Sequence, residues 1–289
     1  MTTSTTQTVT EELRRWIVAQ AEAGCRPEDV LAAMKSSGWD EDVAIDAMER
    51  TLSQRLDELG KRPAVALPPG AGKVPEPAVG AGAVVRLSDG HEVKILASMK
   101  LPRVVVFGGL MTDAECEQLM ALAAPRLSRS ETVDNATGGS EVNAARTSDG
   151  MFFERGEAPL IRVIEARIAE LVRWPLEHGE GLQILRYRPG AEYKPHYDYF
   201  DPDEPGTPVI VERGGQRVAS LVMYLNTPPR GGATTFPDAG FAVAARRGAA
   251  VFFSYDRPHP DTRTLHGGAP VLEGEKWVAT KWLRAGRFD

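Results

Sequence analysis

Cysteine is scarce in this 289-residue sequence, which contains only Cys25 and Cys116. The two lie far apart, and neither has the close cysteine neighbour that a disulfide framework or a cysteine-based zinc site requires. A reducing compartment therefore suits the protein best.

Long apolar runs and blocks of one charge are missing as well. No stretch approaches 18 uninterrupted apolar residues, and the first residues, MTTSTTQTVTEELRRWIV, lack the basic start and apolar centre of a signal peptide. Lys and Arg are scattered among acidic residues, and the formal net charge is -6, so no phosphate-backbone partner is indicated. We expect a cytoplasmic protein with neither a membrane nor a nucleic-acid partner.

Residues 1–60 are predicted to form a small three-helix domain. Apolar residues recur there at helical spacing, Pro27 suits a first helical turn, Gly38 ends that helix, and Asp40 caps the third. The stretches GCRPEDVLAAMKSSGW and DVAIDAM resemble the ubiquitin-associated-type helical folds. Such a domain would provide a protein partner or dimer contact, or would be a packing appendage only; deleting residues 1–60 distinguishes these roles.

The rest of the chain reads as a linker followed by one large domain. Residues 61–82 are rich in Pro, Gly and Ala, which is typical of a linker. Residues 83–289 begin with a hairpin about an Asp-Gly turn and a strand, continue with a helix capped by Thr112 and a second at about 158–173, and end in many short strands. This order predicts a mainly β (α+β) fold, an antiparallel sandwich or barrel with flanking helices.

A candidate metal site begins in KPHYDYFDP, residues 194–202. If this segment is a strand, His196 and Asp198 point to the same face, although a half-exposed strand edge would look the same. His259 and His266 are candidates for the third ligand, and we favour His266, which follows the β-prone TRTL and precedes two glycines. Two His and one carboxylate suit Fe(II); zinc, the alternative, more often recruits Cys or a third His.

Lys276 is the second chemical feature. By strand alternation it shares a face with Val278, Thr280 and Trp282. A buried lysine is unfavourable unless an anion meets it, and a dicarboxylate that also chelates the metal would supply that anion. The alternative is a solvated strand lysine, which is our expectation for Lys281 on the opposite face.

Residues 103–288 resemble the prolyl 4-hydroxylases of the Fe(II)/2-oxoglutarate dioxygenase superfamily. The resemblance lies in the blocks ARTSDGMFF, EGLQILRYRPGAEYKPHYDYF, GGQRVASLVMYLNTPPRGGATTFP and LHGGAPVLEGEKWVATKWL. It implies a double-stranded β-helix (jelly-roll) core, iron bound by His196, Asp198 and His266, and the distal carboxylate of 2-oxoglutarate bound by Lys276. O₂ is the implied cosubstrate and ascorbate a candidate cofactor. Related halogenating enzymes lack the carboxylate ligand, so Asp198 favours hydroxylation.

The resemblance also implies roles for pocket residues. Tyr187 and Thr234 would help to hold 2-oxoglutarate, and Tyr193, Arg217 and Trp282 would line the pocket for the substrate proline. As alternatives, Tyr187 and Trp282 would be core aromatics and Arg217 a surface cation.

Three residues are implied near the peptide. Arg146 and Ser148 would belong to a mobile loop that closes over it, and Glu180 would lie at the substrate mouth, or else be an ordinary solvated acid. Arg284 stands where several members of the family carry a histidine near the peptide groove, which leaves the particular substrate open.

These features predict a hydroxylase that converts 2-oxoglutarate to succinate while it hydroxylates a prolyl residue of a peptide or protein, at C4 by resemblance. A hydroxylase of free proline or another small amino acid is the enzymatic alternative. An interaction protein that senses iron, oxygen or 2-oxoglutarate is the alternative from another class.

Overall fold

The computed structural model describes residues 7–22, 25–61, 74–77, 79, 82–130, 132–133, 139–141 and 146–289. The chain divides into two compact units, Met1–Ala66 and Leu67–Asp289. Most of the predicted linker, residues 61–82, lies outside the described residues. Residue 61 ends the last helix of the first unit, and residues 74–77, 79 and 82 belong to the second unit, where the Glu76 N–H donates to the Val172 carbonyl and the Glu76 carboxylate pairs with Arg103.

The first unit has the three helices that its sequence predicts: α1 (Glu11–Glu22), α2 (Pro27–Ser36) and α3 (Glu41–Lys61). Gly38 ends the second helical segment with φ = 89°, a value that favours glycine. The Asp40 carboxylate accepts hydrogen bonds from the N–H groups of Asp42 and Val43 at 3.1 and 3.4 Å, as an N-cap does. The described core of this unit consists of Ile17, Val30, Met34, Ala44, Ala47 and Met48.

The second unit is mostly strand. Its helices are α4 (Asp113–Ala123), α5 (Pro159–Val172) and α6 (Thr207–Glu212). Its strands are β1 (Val84–Arg86), β2 (Glu92–Met99), β3 (Arg103–Gly108), β4 (Ser128–Arg129), β5 (Thr132–Val133), β6 (Ser140–Glu141), β7 (Asp149–Phe153), β8 (Leu182–Tyr187), β9 (Tyr193–His196), β10 (Arg217–Tyr224), β11 (Arg230–Gly231), β12 (Thr234–Phe236), β13 (Phe241–Val243), β14 (Ala250–Ser254), β15 (His266–Gly268), β16 (Val271–Glu273) and β17 (Lys276–Arg284). None of the helices in the described ranges is long and apolar enough to span a bilayer.

Two antiparallel sheets form the body of this unit. The large sheet has the strand order β1-β2-β3-β14-β10-β17-β8-β7-β4, and the small sheet has the order β13-β12-β15-β9. Leu185, Phe253 and Val278 of the large sheet share a buried cluster with Phe236 and Val243 of the small sheet, so the two sheets pack face to face. The predicted mainly β jelly-roll fold is confirmed.

The other face of the large sheet is covered by helices. Leu119 of α4 and Ile164 of α5 pack in one cluster with Ile184 and Ala279 of the sheet. The capping box that Thr112 makes with Glu115 starts α4, as predicted. Both faces of the central strands are therefore buried, and every residue of β17 is buried.

One strand is shorter than its sequence suggests. The segment KPHYDYFDP, residues 194–202, is a strand only as far as His196, so Asp198 lies in a bend and not on the strand. The side chain of Gln216 explains the departure, because its Oε1 accepts from the Phe200 N–H at 2.8 Å and its Nε2 donates to the Phe200 carbonyl at 2.7 Å. This side chain replaces a neighbouring strand as the partner of the backbone. The helix α6 that follows was not predicted.

The prediction of a solvated Lys281 is wrong. Lys281 does point away from Lys276, but that face is covered by α5, and only 2% of Lys281 is exposed. Its Nζ lies 2.6 Å from Oε1 of Glu165 and also donates to the Glu180 carbonyl. A buried charge with a charged partner is tolerated where a lone one is not.

We predict that Lys281→Met destabilises the second unit by about 3–5 kcal/mol, because it leaves the buried Glu165 carboxylate without its counter-charge. Urea unfolding followed by tryptophan fluorescence measures the change. Arg86→Met is the control, since it removes an ion pair with Glu92 whose side chains are largely exposed, and it should have little effect. Equal stability of the two variants would contradict a structural role for the buried pair.

Candidate active site

A pocket that opens to solvent lies between the two sheets. Its walls come mainly from β8, β9, β10, β15 and β17. Nine of the twelve site residues predicted from the sequence line it: Arg146, Tyr187, Tyr193, His196, Asp198, Thr234, His266, Lys276 and Trp282. Ser148, Glu180 and Arg217 do not line it.

The two histidines converge because β15 pairs with β9, which places His266 directly opposite His196. Asp198 reaches between them from the bend after β9: its Oδ1 lies 3.5 Å from Nε2 of His196, and its Oδ2 lies 3.5 Å from Nε2 of His266. One ligand atom from each residue lies within 4.8 Å of the other two. His259, the other candidate, lies elsewhere and pairs with Asp261.

Gly267 permits this strand pairing. A Cβ at position 267 would lie 2.8 Å from the carbonyl oxygen of Tyr193 on β9, which is closer than real Cβ atoms approach. Any larger residue there would push the strand that carries His266 away from the strand that carries His196. The close approach of two backbones therefore accounts for this glycine.

Backbone and side-chain hydrogen bonds orient all three candidate ligands. Nδ1 of His196 lies 2.9 Å from the Lys194 carbonyl and Nδ1 of His266 lies 3.0 Å from the Thr264 carbonyl, so Nδ1–H donates and Nε2 keeps its lone pair for a metal. Ser220 Oγ donates to Oδ2 of Asp198 at 2.6 Å. The sequence reasoning did not identify Ser220, although its position on the inward face of β10 follows from strand alternation.

The charges of the group suit metal binding. Burial lowers the pKa of His266 to about 4, so this imidazole is neutral at physiological pH, as a ligand must be. Burial acts to raise the pKa of Asp198, but the adjacent His266 and His196 outweigh it and hold that pKa well below its usual range. At physiological pH His266 therefore presents a neutral nitrogen and Asp198 an anionic oxygen.

This donor set fits Fe(II). Ligand atoms about 2.1 Å from a metal and at right angles to one another are about 3 Å apart, close to the 3.5 Å separations found between each histidine and the aspartate. Two His and one carboxylate on one side of the ion leave open positions for other ligands, as in non-haem iron oxygenases.

Lys276 lines the pocket, and no described residue compensates its charge. It is 4% exposed, and neither an ion pair nor a hydrogen bond joins its Nζ to any residue that the structure describes. The rings of Tyr187 and Tyr224 lie 5.5 and 5.8 Å away. Burial lowers the pKa of Lys276 to about 8. An ammonium group in this position needs an anionic ligand.

Tyr187 and Thr234 lie near this cation, as the resemblance implies. Tyr187 is directly opposite Lys276 in the pairing of β8 with β17, and burial raises its pKa to about 12, so it remains a neutral hydroxyl donor. Thr234 Oγ1 accepts a hydrogen bond from the Tyr224 hydroxyl at 2.8 Å. The pocket that the lysine lines thus also carries neutral hydroxyl groups.

Tyr193 and Arg146 form the wall beside the metal ligands. The Tyr193 ring stacks on His196 with 3.7 Å between centroids, and the Arg146 guanidinium lies 5.3 Å from the Tyr193 ring centroid. Arg146 is buried and pairs with Tyr193 through a β-bridge. Ser148 is fully buried and donates to Ser130 Oγ at 2.9 Å. Residues 134–138 and 142–145, the part of the predicted mobile loop before Arg146, lie outside the described residues.

Arg217 and Glu180 lie behind Trp282, outside the pocket lining. Arg217 donates two hydrogen bonds to the Glu180 carboxylate, at 2.6 and 2.8 Å, and its guanidinium lies 3.9 Å from the Trp282 ring centroid. Arg284 Nε lies 2.7 Å from the same carboxylate. Burial acts to raise the pKa of Glu180, but the two arginines outweigh it and lower that pKa. Glu180 is therefore a buried, paired anion and not a solvated acid.

Comparison with known proteins places this site in a family. Residues 182–284 match the family model described as the 2OG-Fe(II) oxygenase superfamily. Prolyl 4-hydroxylase 2 of Arabidopsis thaliana is 40% identical over 211 residues, which cover 65% of this chain and 69% of the relative. Prolyl 4-hydroxylase 1 of the same plant is 43% identical over 201 residues, which cover 63% and 69%.

Solved structures give a related match. The viral collagen prolyl hydroxylase of Paramecium Bursaria Chlorella virus-1, in its 2OG complex, is 28% identical with a TM-score of 0.48, and the match covers 63% of this chain and 95% of that chain.

We predict that His266→Ala weakens Fe(II) binding by more than about 100-fold, because loss of a direct ligand should exceed the 10- to 100-fold effect typical of residues that only orient ligands. Anaerobic isothermal titration calorimetry with Fe(II) measures the change. His259→Ala is the matched control and should bind Fe(II) like the wild type. Similar losses in both variants would show that the triad is assigned incorrectly.

Proposed function

Since the chain belongs to the prolyl 4-hydroxylase family of 2-oxoglutarate- and Fe(II)-dependent oxygenases, we propose that it hydroxylates prolyl residues of a peptide or protein at C4. The reaction couples this hydroxylation to decarboxylation of 2-oxoglutarate to succinate. The observation that carries the proposal is the pairing, in one pocket, of the histidine–aspartate group with the buried ammonium of Lys276, which has no counter-ion among the residues that the structure describes.

Different residues of the pocket would bind the metal and the keto acid. His196, Asp198 and His266 would hold Fe(II), which when bound supplies the redox chemistry with O₂ and the keto acid. Lys276 would hold the distal carboxylate of 2-oxoglutarate, helped by the Tyr187 hydroxyl. The protein contributes orientation, a compensating charge and a pocket largely shielded from water.

The substrate proline would lie beside Tyr193 and Trp282. Tyr193 stacks on a metal ligand, and Trp282 is on the same strand face as Lys276, so both present ring surface to the pocket. Arg217 and Glu180 support this wall from behind and would act as positioning residues. A cytoplasmic location suits the two unpaired cysteines, and a partner or dimer contact through the helical unit stays a prediction.

We predict that the KM for 2-oxoglutarate rises about tenfold per pH unit above pH 8. The pKa of Lys276 is about 8, so the ammonium that attracts the carboxylate is present below that pH and is lost above it. Initial rates of succinate formation between pH 7 and 9.5 measure the effect. Lys276→Arg stays protonated throughout and should show a KM that does not change with pH. A rising KM in this variant would assign the titration to another group.

Mass spectrometry tests the reaction itself. Purified protein with Fe(II), 2-oxoglutarate and O₂ is incubated with proline-containing peptides and, separately, with free amino acids. We expect a +16 Da product on the peptide's proline and one succinate for each hydroxylation. A product on free proline alone would establish the small-molecule alternative. Modification of neither would favour the sensor alternative and contradict the proposed function.

A further inference from the structure

Tyr255 is a buried tyrosine close to the candidate metal ligands, and the proposed function assigns it no role. It directly follows β14 and is 2% exposed. Strand pairing places Ser220 opposite Phe253 of β14 and opposite Trp282 of β17, so Ser220 is on the pocket face of the large sheet. Tyr255 is two residues beyond Phe253 and packs in the same buried cluster. The fold therefore brings the Tyr255 side chain to Ser220.

Two hydrogen bonds connect the Tyr255 hydroxyl to the carboxylate of Asp198. Ser220 Oγ lies 2.6 Å from Asp198 Oδ2 and 3.2 Å from the Tyr255 hydroxyl oxygen. A serine hydroxyl has one hydrogen to donate, and an ionised carboxylate can only accept, so that hydrogen goes to Asp198. The shared hydrogen bond between Ser220 and Tyr255 therefore has Tyr255 as its donor.

The two hydroxyls act as one unit. No other hydrogen bond joins the Tyr255 hydroxyl or Ser220 Oγ to the residues that the structure describes, and Ser220 is fully buried. In such a buried chain each donor polarises the next and strengthens its hydrogen bond. The Tyr255 hydroxyl also fixes the rotation of the Ser220 hydroxyl, which points its hydrogen at Asp198. The effect of Tyr255 on Asp198 therefore passes through Ser220.

The hydrogen bond from Ser220 makes the two oxygens of Asp198 different. Oδ2 accepts from Ser220, whereas Oδ1 lies 3.5 Å from Nε2 of His196. Two imidazole nitrogens and one carboxylate oxygen occupy one face of an octahedral ion and leave the opposite face to the keto acid and O₂. A carboxylate that bound through both oxygens would also take a position on that opposite face. Because Ser220 binds Oδ2, coordination through Oδ1 alone is favoured.

We propose that Tyr255 and Ser220 are positioning residues for Asp198, and that they hold its carboxylate so that Oδ1 binds the metal and Oδ2 does not. This inference rests on the proposed function, since the metal is the one that function requires. It adds Tyr255, which does not line the pocket, to the residues that determine metal affinity.

Anaerobic isothermal titration calorimetry of the full chain with Fe(II) tests this chain of hydroxyls. Ser220→Ala should raise the Kd for Fe(II) by about 10- to 100-fold, the range typical of residues that orient metal ligands. Tyr255→Phe keeps the ring and should raise the Kd by a smaller factor, about threefold to tenfold, as for the loss of one hydrogen bond. Added to Ser220→Ala, Tyr255→Phe should have no further effect, because Tyr255 acts through Ser220.

Tyr199→Phe is the matched control. The Tyr199 ring packs against Tyr255 with 5.9 Å between centroids and is 8% exposed, but no hydrogen bond joins its hydroxyl to the described residues. This variant should bind Fe(II) like the wild type. The inference is overturned if Tyr199→Phe weakens binding as much as Tyr255→Phe, or if Ser220→Ala or Tyr255→Phe leaves the Kd unchanged. Additive effects of Ser220→Ala and Tyr255→Phe would also overturn it, since Tyr255 would then act by packing.

Steady-state kinetics tests the assignment of Oδ1. Without Ser220, Oδ2 is free to compete for the metal, and O₂ should lose that competition more readily than a keto acid that is also bound by Lys276. In Ser220→Ala the KM for O₂ should therefore rise by a larger factor than the KM for 2-oxoglutarate, and an equal rise would overturn the assignment.

Failure of the proposed function is distinguishable from failure of this inference. A wild type that binds Fe(II) with the expected dependence on Ser220 and Tyr255, yet gives no +16 Da product, would contradict the function and support the positioning role. A wild type that binds no Fe(II) would overturn both.

Discussion

The antiparallel pairing of two very short strands, β9 and β15, is the constraint on which the site depends. It sets His196 opposite His266, and the bend that follows β9 brings Asp198 between them. The pairing needs a glycine at position 267, where a side chain would collide with the neighbouring backbone. Short strands have few ladder hydrogen bonds of their own, so the geometry relies on the large sheet behind them, which fixes Asp198 through the Ser220 hydroxyl.

Two lysines of β17 show how the two faces of the large sheet differ: one face packs against helices, and the other lines the pocket. Lys281 faces the helix-covered side and is neutralised by Glu165, so its charge is satisfied within the fold. Lys276 faces the pocket, and burial without a counter-charge lowers its pKa to about 8. Both are buried lysines on one strand, yet only the second retains unsatisfied electrostatic energy that a ligand can use. The same contrast separates Gln183, which has no hydrogen-bond partner in the described part of the chain, from Gln216, whose amide is bonded to the backbone of Phe200.

Much of this arrangement was predictable from local pattern. Alternation along β17 assigned Lys276, Val278, Thr280 and Trp282 to one face, and all four line the pocket. Alternation could not show what covers each face, because that depends on contacts distant in sequence; Lys281 was therefore expected in solvent, although α5 buries it. The bend at Asp198 was missed for the same reason, since the backbone that follows it, at Phe200, pairs with the side chain of the distant Gln216. A buried polar side chain that lacks a hydrogen bond, such as Gln183, can be recognised only when the positions of its neighbours are known.

By resemblance, Arg284 stands where several members of the family carry a histidine, and its surroundings show what the guanidinium adds. Glu180 is shared by Arg217 and Arg284, so this buried group carries two positive charges and one negative charge. A neutral histidine at position 284 would leave a single balanced pair beneath Trp282. The additional guanidinium also donates to the Gly215 carbonyl at 2.6 Å, which ties the end of β17 to the loop before β10. The guanidinium thus reinforces the support behind Trp282 and does not contact the candidate metal ligands or Lys276, so its effect should fall on the wall where we propose that the substrate proline lies.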